Sequence, residues 1–225
     1  MWPFDKPNQE CITLSLSDHD LAIGCFSPEH HKPPTLKAFE RHSFETYSFL
    51  SIAPVIKSFM QKNKAHNAPL VISLKSPLIY EQLHSFSTMS PRIADVSGPD
   101  LKKLIWEYRY LLSADNGQHL FYLAGIARHA IVHYYLIAQK VGAQLVGISS
   151  DYMALIQAYR HMYGAAFRQS QLGVDLTRSE YNLEMVISDQ TIGRLMTIPQ
   201  SISIDTMQEK RTLLTFAGLY YQERE

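Results

Sequence analysis

Ten histidines make a bound metal ion the first chemistry to consider in this chain of 225 residues. His30 and His31 are adjacent, and His129 and His133 are four residues apart, so the second pair could share one helix face. Protein zinc sites add further His, Cys, Asp or Glu ligands at short, fixed spacings. No Cys, Asp or Glu completes either pair at ligand spacing, and the HEXXH motif is absent. The sequence therefore predicts no metal site.

Motifs for nucleophilic catalysis and for phosphate binding are also missing. No serine lies in a GxSxG elbow, and the GxxxxGK[ST] and GxGxxG loops that cradle phosphates do not occur. Cys11 and Cys25 fall on neighbouring predicted strands, where free cysteines usually serve as small buried apolar side chains. We therefore expect no catalytic residue and no cofactor.

The charge balance limits the classes of partner. Lys plus Arg and Asp plus Glu both total 21, so the formal charge is zero, whereas binding to nucleic acid phosphates needs a basic excess. Two cysteines fit a reducing compartment. The first ten residues lack the charged and apolar regions of a signal peptide, and no apolar stretch is long enough to span a membrane. A cytoplasmic location without nucleic acid is the default expectation.

The segment around residues 120–167 predicts a strand–helix–strand–helix succession, which indicates α/β layering. Its elements are a strand at 120–127, a helix at 128–141, a strand at 144–148 and a second helix that ends at Gly164. Within 128–141 the apolar residues recur at spacings of three and four, and Gly142 suits the left-handed residue at a helix end. Either Ser149 or Ser150 can cap the second helix.

The residues before this segment predict β-β-β-α-β, with strands at 12–16, 21–26, 35–44 and 69–74 and a helix within 47–64. Pro54 suggests that the regular part of this helix begins about there. Residues 77–86 could form a strand or a short helix, and 87–99 a loop. Asp100 is expected to cap a helix at 101–112, followed by a turn at 114–117.

The last part of the chain predicts more strands and a final helix. A strand at 171–175 ends in an acidic residue. Two further strands at 181–188 and 192–199 are expected around a turn at Asp189-Gln190, and a terminal helix at 204–225.

This order of elements resembles the actin-like fold, and within it the PilM family of type IV pilus assembly proteins. The most specific stretch is 138–167, where 139–142 (QKVG) leads to a strand, to Asp151 and then to 153–155 (MAL). That family likewise has a helix ending in Ala-Gly, a strand, and an Asp followed by an Ala-Leu helix. The resemblance implies an α/β fold with a ribonuclease H-like mixed sheet. It also implies a core at 1–75 and 143–225 and a smaller inserted α/β subdomain at 76–142.

The two nucleotide loops of the resembled fold are degenerate here. Residues 15–22 stand where the first phosphate loop (Asp-x-Gly-Ser-Ser) would be, and 174–177 where the second (Val-Asp-x-Gly) would be. Actin-like ATPases use glycines there because the backbone must approach the phosphates closely. There is no glycine in 12–22, Ser15 replaces the leading Asp, and residues 176–177 read Leu-Thr. The degenerate positions are Ser15, Ser17, Asp18, Asp175 and Thr177.

The resemblance therefore implies a scaffold without catalysis, which does not bind ATP. Since the chain stops about fifty residues into the second half, the subdomain that closes over the nucleotide is expected to be largely absent. Such a scaffold would lie at the inner-membrane face, reach the membrane only through its partner, and bind a short cytoplasmic peptide of an inner-membrane pilus or secretion protein. Self-association stays open. The alternatives are the cytoplasmic domain of a type II secretion platform protein and an ATP-binding actin-like enzyme.

An aromatic and basic cluster predicts where the peptide would bind. On a helix, Trp106 to Tyr110 could not all face inward, so some of these side chains would remain near the surface, as interface anchors do. The resemblance places a peptide groove beside the inserted subdomain, where a peptide could also pair with a strand edge. The expected anchors are Tyr108, Arg109, Tyr122 and Arg128. The alternative is that the aromatic residues form a subdomain core.

Overall fold

A computed structural model describes residues 9–29, 32–45, 48–75, 77–90, 103–114, 116–169 and 187–222. Its strands are β1 (Cys11–Leu16), β2 (Asp20–Glu29), β3 (Lys32–Ser43), β4 (Pro69–Leu74), β5 (Tyr80–Phe86), β6 (Leu104–Ser113), β7 (His119–Ala127) and β8 (Gln144–Ser150). Its helices are α1 (Phe49–Lys62), α2 (Arg128–Val141), α3 (Asp151–Tyr163), a 3-10 helix (Gly164–Gln169), α4 (Asp189–Leu195) and α5 (Met207–Gln222).

The main sheet has five strands in the order β3-β2-β1-β4-β8. β1 to β3 run antiparallel as a meander, whereas β4 pairs in parallel with both β1 and β8. Every residue of β1 and of β4 is buried, as expected for central strands that are covered on both faces. Because β4 and β8 are paired, residues 71–74 and 145–148, which fall in the two parts of the expected core, belong to one sheet.

Helices cover both faces of the main sheet. Because successive side chains of a strand point to opposite faces, the side chains of Ile12, Leu14 and Leu16 in β1 lie in one core, where they pack with buried residues of α1 and α2. The opposite face packs against α3, α4 and α5. There α5 passes so close to α3 that a Cβ on Gly218 would lie 1.6 Å from the carbonyl oxygen of Ala154. None of the described helices has the length and hydrophobicity to cross a membrane.

A second, antiparallel sheet has three strands in the order β5-β7-β6. Its residues lie within the range 76–142 expected for an inserted subdomain, while α2 from the same range packs on the main sheet. The division into a core and an inserted subdomain stays a prediction. On the outer face of this sheet, Tyr108 and Tyr110 make edge-to-face contacts with Phe121 at centroid distances of 6.0 and 5.6 Å.

Most of the expected elements before β8 are confirmed, including β7, α2 and the turn before β7. Gly142 ends α2 with φ of 73°, and the side chain of Ser150 caps α3 by accepting the Met153 N–H. Residues 77–86, left open between strand and helix, contain β5. The helix expected to begin near Pro54 starts at Phe49, because Ser48 caps it.

Three expectations were wrong. Residues 101–112, expected as a helix, contain strand β6. Polar and aromatic residues alternate from Trp106 to Tyr110, and this alternation fits a strand that pairs with β7 and has a different environment on each face. The strand expected at 192–199 and the turn at Asp189-Gln190 are replaced by α4, which Ser188 caps through the Thr191 N–H. Only Thr197 keeps a strand-like contact, a parallel bridge to Thr35. The strand at 171–175, most of that at 181–188, and Asp100 lie outside the described residues.

Candidate functional site

The turn between β1 and β2, expected as the degenerate first phosphate loop, uses its backbone donors internally. The Ser17 N–H donates to the Asp20 carbonyl at 2.9 Å. The Ser17 hydroxyl accepts the N–H groups of His19 and Asp20 at 3.3 and 2.9 Å. Asp18 and His19 approach each other at the surface of the turn. A phosphate loop needs its N–H groups to point at the ligand, and these three do not.

Asp151, the first residue of α3, gathers hydroxyl groups from three elements. Its Oδ1 accepts hydrogen bonds from Ser15 of β1 at 3.4 Å, Ser73 of β4 at 3.3 Å and Thr215 of α5 at 2.9 Å. The Nε of Arg211 lies 3.7 Å from Oδ2, and the Asp151 side chain is only 5% exposed. Ser15 therefore contributes to a structural hydrogen-bond cluster. Sequence reasoning missed Ser73, Thr215 and Arg211, because all three are far from Asp151 along the chain.

A polar cleft of about 650 Å³ opens beside Asp151. Its charged lining residues are Lys75, Glu81, Asp151 and Arg211, so the two cations face two carboxylates. Burial raises the pKa of Glu81, and the nearby Asp151 carboxylate raises it further. A triphosphate here would meet the Glu81 and Asp151 carboxylates, which carry charge of the same sign as its phosphates. Whether the chain binds a nucleotide stays a prediction. Asp175 and Thr177, the second-loop positions, lie outside the described residues.

A second, more apolar cleft of about 340 Å³ lies between the three-stranded sheet and the β8–α3 junction. We call it the apolar cleft. Its lining includes Ile105, Glu107 and Arg109 of β6, Tyr122, Ala124 and Ile126 of β7, Ile131 of α2, and Ile148, Ser150 and Met153 of β8 and α3.

The charged groups of the apolar cleft are on β6. Arg109 and Glu107 share one face of the strand and form an ion pair of 3.2 Å between Nη2 and Oε1. The Glu107 side chain is largely exposed, whereas that of Arg109 is about one third exposed. β6 pairs only with β7 among the described strands and is therefore an edge strand of its sheet. The cleft thus has apolar walls and a polar rim, and it lies beside an edge strand of the described sheet.

Tyr122 joins the two sheets at the floor of the apolar cleft. It is buried, and its hydroxyl contacts the Glu81 carboxylate of β5 and the Ser150 hydroxyl. Its ring stacks on Tyr152 with a centroid distance of 5.7 Å. Burial raises the pKa of Tyr122, and the adjacent Glu81 carboxylate raises it further. The hydroxyl therefore stays protonated and structural, while the side chain forms part of the cleft wall.

The structure brings together two of the four expected peptide anchors. Arg109 and Tyr122 are directly opposite each other on β6 and β7 and line the apolar cleft. Tyr108 points to the other face of the sheet, where it is 45% exposed. Arg128, at the start of α2, is exposed and is not among the residues lining the apolar cleft. Whether any of the four binds a partner stays a prediction.

No clustered set of His, Cys, Asp and Glu able to hold a metal ion occurs among the described residues. Cys11 and Cys25 are free and buried. Burial raises the pKa of the Cys25 thiol to about 12, with Glu10 contributing. Thiolates are the reactive form of cysteine, so Cys25 is held in its unreactive form. These observations agree with the expectation of small buried side chains.

Comparison with known proteins identifies the fold. No protein-family model matches the sequence, and no curated protein matches it. A chain of a PilM–PilN type IV pilus biogenesis complex superposes with a TM-score of 0.56 at 11% identity, over 97% of this chain and 100% of that one.

Two weaker structural matches are more distant. The cytoplasmic domain of EpsL, an inner-membrane component of the type II secretion system of Vibrio cholerae, gives a TM-score of 0.43 at 12% identity, over 65% of this chain and 59% of that one. A Bacteroides thetaiotaomicron protein with an actin-like ATPase fold gives 0.39 at 9% identity, over 94% and 99%. The α/β actin-like fold expected from the sequence, with its resemblance to PilM, is confirmed at the level of fold.

Proposed function

We propose that this protein is a non-catalytic, cytoplasmic actin-like scaffold of a type IV pilus or related secretion machine at the inner-membrane face. It holds a short peptide from the cytoplasmic tail of an inner-membrane partner. The observation that carries the proposal is the match of almost the whole chain to a chain from a PilM–PilN complex. The partner peptide occupies the apolar cleft.

The shape and lining of the apolar cleft suit a short peptide. A volume of about 340 Å³ accommodates a few side chains, and clefts of this kind usually combine apolar walls with a few polar groups that fix orientation. The walls are formed by residues such as Ile105, Ile126 and Met153, and the rim is formed by the Glu107–Arg109 ion pair. Since β6 is an edge strand, a peptide can also add its backbone hydrogen bonds there.

Arg109 is the residue expected to anchor the peptide. Arginine is enriched among residues that dominate interface energies, and Arg109 lines the cleft while one third of its side chain stays exposed. Its ion pair with Glu107 is partly exposed and therefore weak, so a peptide carboxylate can displace it. Tyr122 contributes its ring, because its hydroxyl already contacts Glu81 and Ser150.

The absence of nucleotide chemistry is supported by the first loop and by the polar cleft. The N–H groups of Ser17, His19 and Asp20 are used within the turn, whereas phosphate binding needs such donors. In the polar cleft, Glu81 and Asp151 would face the phosphates. The actin-like fold therefore serves as a platform for the cleft.

The experiment is a binding titration with synthetic peptides. They correspond to the cytoplasmic tails of inner-membrane proteins encoded beside the gene for this chain. We expect one tail to bind, and Arg109→Ala to weaken its binding by about 1–3 kcal/mol. The matched control is Tyr108→Ala, the neighbouring residue on the opposite face of β6, which should leave affinity unchanged. If no tail binds, or if both variants behave like the original protein, the proposal is wrong.

A further inference from the structure

Helices α1 and α2 form a basic layer on one face of the main sheet. They pack against each other and share one core with that sheet. Together they contain four Lys or Arg residues, Lys57, Lys62, Arg128 and Lys140, and no Asp or Glu, although the whole chain is balanced at 21 of each sign. Glu40 of β3 pairs with Lys62. Lys57 and Arg128 are exposed on the same layer.

The outer side of α2 carries an apolar ridge made of Val132, Tyr135 and Leu136. These side chains are 55%, 59% and 43% exposed, and their spacing of three and four places them on one side of the helix. The opposite side of α2 already packs into the core through residues such as Tyr134 and Ile137. The ridge is therefore apolar surface that the fold itself does not need.

We infer that this face of the protein rests directly on an anionic lipid bilayer. Apolar side chains flanked by basic residues, without acidic ones, are the pattern by which helices lie at a membrane surface. Tyr135 suits the headgroup region, where tyrosine is enriched. Basic side chains such as Lys57 and Arg128 are attracted by the negative surface potential of anionic lipids. The expectation from sequence was membrane contact through the partner alone, and this inference adds a direct contact.

The form of the surface favours a bilayer over other occupants. None of the three ridge residues lines a described cavity, and the basic residues beside the ridge favour an anionic surface. A second copy of the chain would bring Arg128 and Lys140 against groups of the same sign, which disfavours a symmetric α2–α2 contact. The inference is independent of the proposed peptide binding, because it involves a different face and needs no partner protein.

The test is co-sedimentation of the purified full chain with lipid vesicles. One set contains phosphatidylglycerol and phosphatidylcholine in equal parts, and the other phosphatidylcholine alone. We expect binding to the anionic vesicles that weakens with added salt, and little binding to the neutral ones. The double variant Lys57→Glu/Arg128→Glu should lower the partition coefficient by more than about tenfold, since one basic side chain near such a surface contributes about fivefold.

A second variant tests the apolar ridge. Val132→Ser/Tyr135→Ser/Leu136→Ser should lower partitioning by about tenfold or more without changing the melting temperature, because all three side chains are exposed. Tyr108→Ser, an exposed aromatic residue on the other sheet, is the matched control and should bind vesicles normally. Failure of the original chain to bind anionic vesicles at low salt would overturn the inference. So would unchanged binding by both variants, or a dimer that the triple variant converts to monomer.

Discussion

The hydroxyl of Thr215, on the last helix, donates a hydrogen bond of 2.9 Å to the buried carboxylate of Asp151, 64 residues earlier in the chain. Ser15 and Ser73 donate to the same oxygen from two strands of the main sheet. A buried carboxylate is tolerated only when such partners replace its lost hydration. These hydrogen bonds therefore tie α5 and α3 to the main sheet at the edge of the polar cleft.

We predict that Thr215→Val, which keeps the shape of the side chain, lowers the free energy of unfolding by about 1.5–3 kcal/mol. The reason is that one of the donors to a buried charge is lost. Thr212→Val is the matched control, because Thr212 is also buried but donates only to the Gln208 carbonyl of its own helix. Urea unfolding measures both variants. Equal losses in both would contradict the role of the Asp151 carboxylate.

A second prediction concerns Gly218, where an added side chain would destabilise the protein for steric reasons. A Cβ at this position would lie 1.6 Å from the Ala154 carbonyl oxygen, so α3 and α5 would have to move apart. Gly218→Ala should therefore destabilise the protein by about 3 kcal/mol or more. Gly193→Ala in α4 is the control, because nothing lies within 4 Å of the added Cβ. It should be neutral or slightly stabilising in thermal unfolding, and a similar loss in both variants would refute the close helix contact.

We predict that Glu209, at the start of α5, makes a pH-dependent contribution to the free energy of unfolding. Glu209 accepts the Thr206 and Asp205 N–H groups at 2.8 and 3.0 Å, and these bonds, that of Thr206 first, lower the pKa of Glu209 below its ordinary value of about 4.5. A lowered pKa in the folded state means that the stabilisation is complete above pH 4.5 and is lost as the pH falls through the folded value.

Glu209→Gln, which keeps the acceptor but removes the charge, should therefore cost about 0.5 kcal/mol at pH 7 and almost nothing well below the folded pKa. Urea unfolding at neutral and at acidic pH measures this difference between the variant and the original protein. A cost that is the same at both pH values would show that the charge of Glu209 does not contribute.

The parts of the fold that the sequence predicted are those with local signals. Gly142 ends α2 with a left-handed backbone conformation, and the Ser150 side chain caps the start of α3. Both signals act within a few residues of the chain. The alternation in 104–113 was misread because the pairing with β7 that satisfies it is not local. Ser15, Ser73 and Thr215 are 136, 78 and 64 residues from Asp151. No spacing rule could therefore bring them together.

The first loop predicts that nucleotide does not bind. Isothermal titration with Mg-ATP should show no saturable heat at a dissociation constant tighter than about 10 μM, on the order of −7 kcal/mol. The physical reason is that the N–H groups of Ser17, His19 and Asp20 are used within the turn. Tight, saturable binding would mean that other residues of the chain supply the phosphate donors, and that the protein is not the non-catalytic scaffold proposed above.

The occupation of the apolar cleft by a partner tail is tested most directly by photo-crosslinking from two adjacent positions. Glu107 lines the cleft, whereas Tyr108 points to the opposite face of the same strand. A photoreactive phenylalanine replaces either residue, and each protein is irradiated with solubilised inner membranes or with the binding tail peptide. We expect a crosslink to the tail from position 107 and none from position 108. Crosslinking from 108 alone, or equally from both positions, would contradict binding in the apolar cleft.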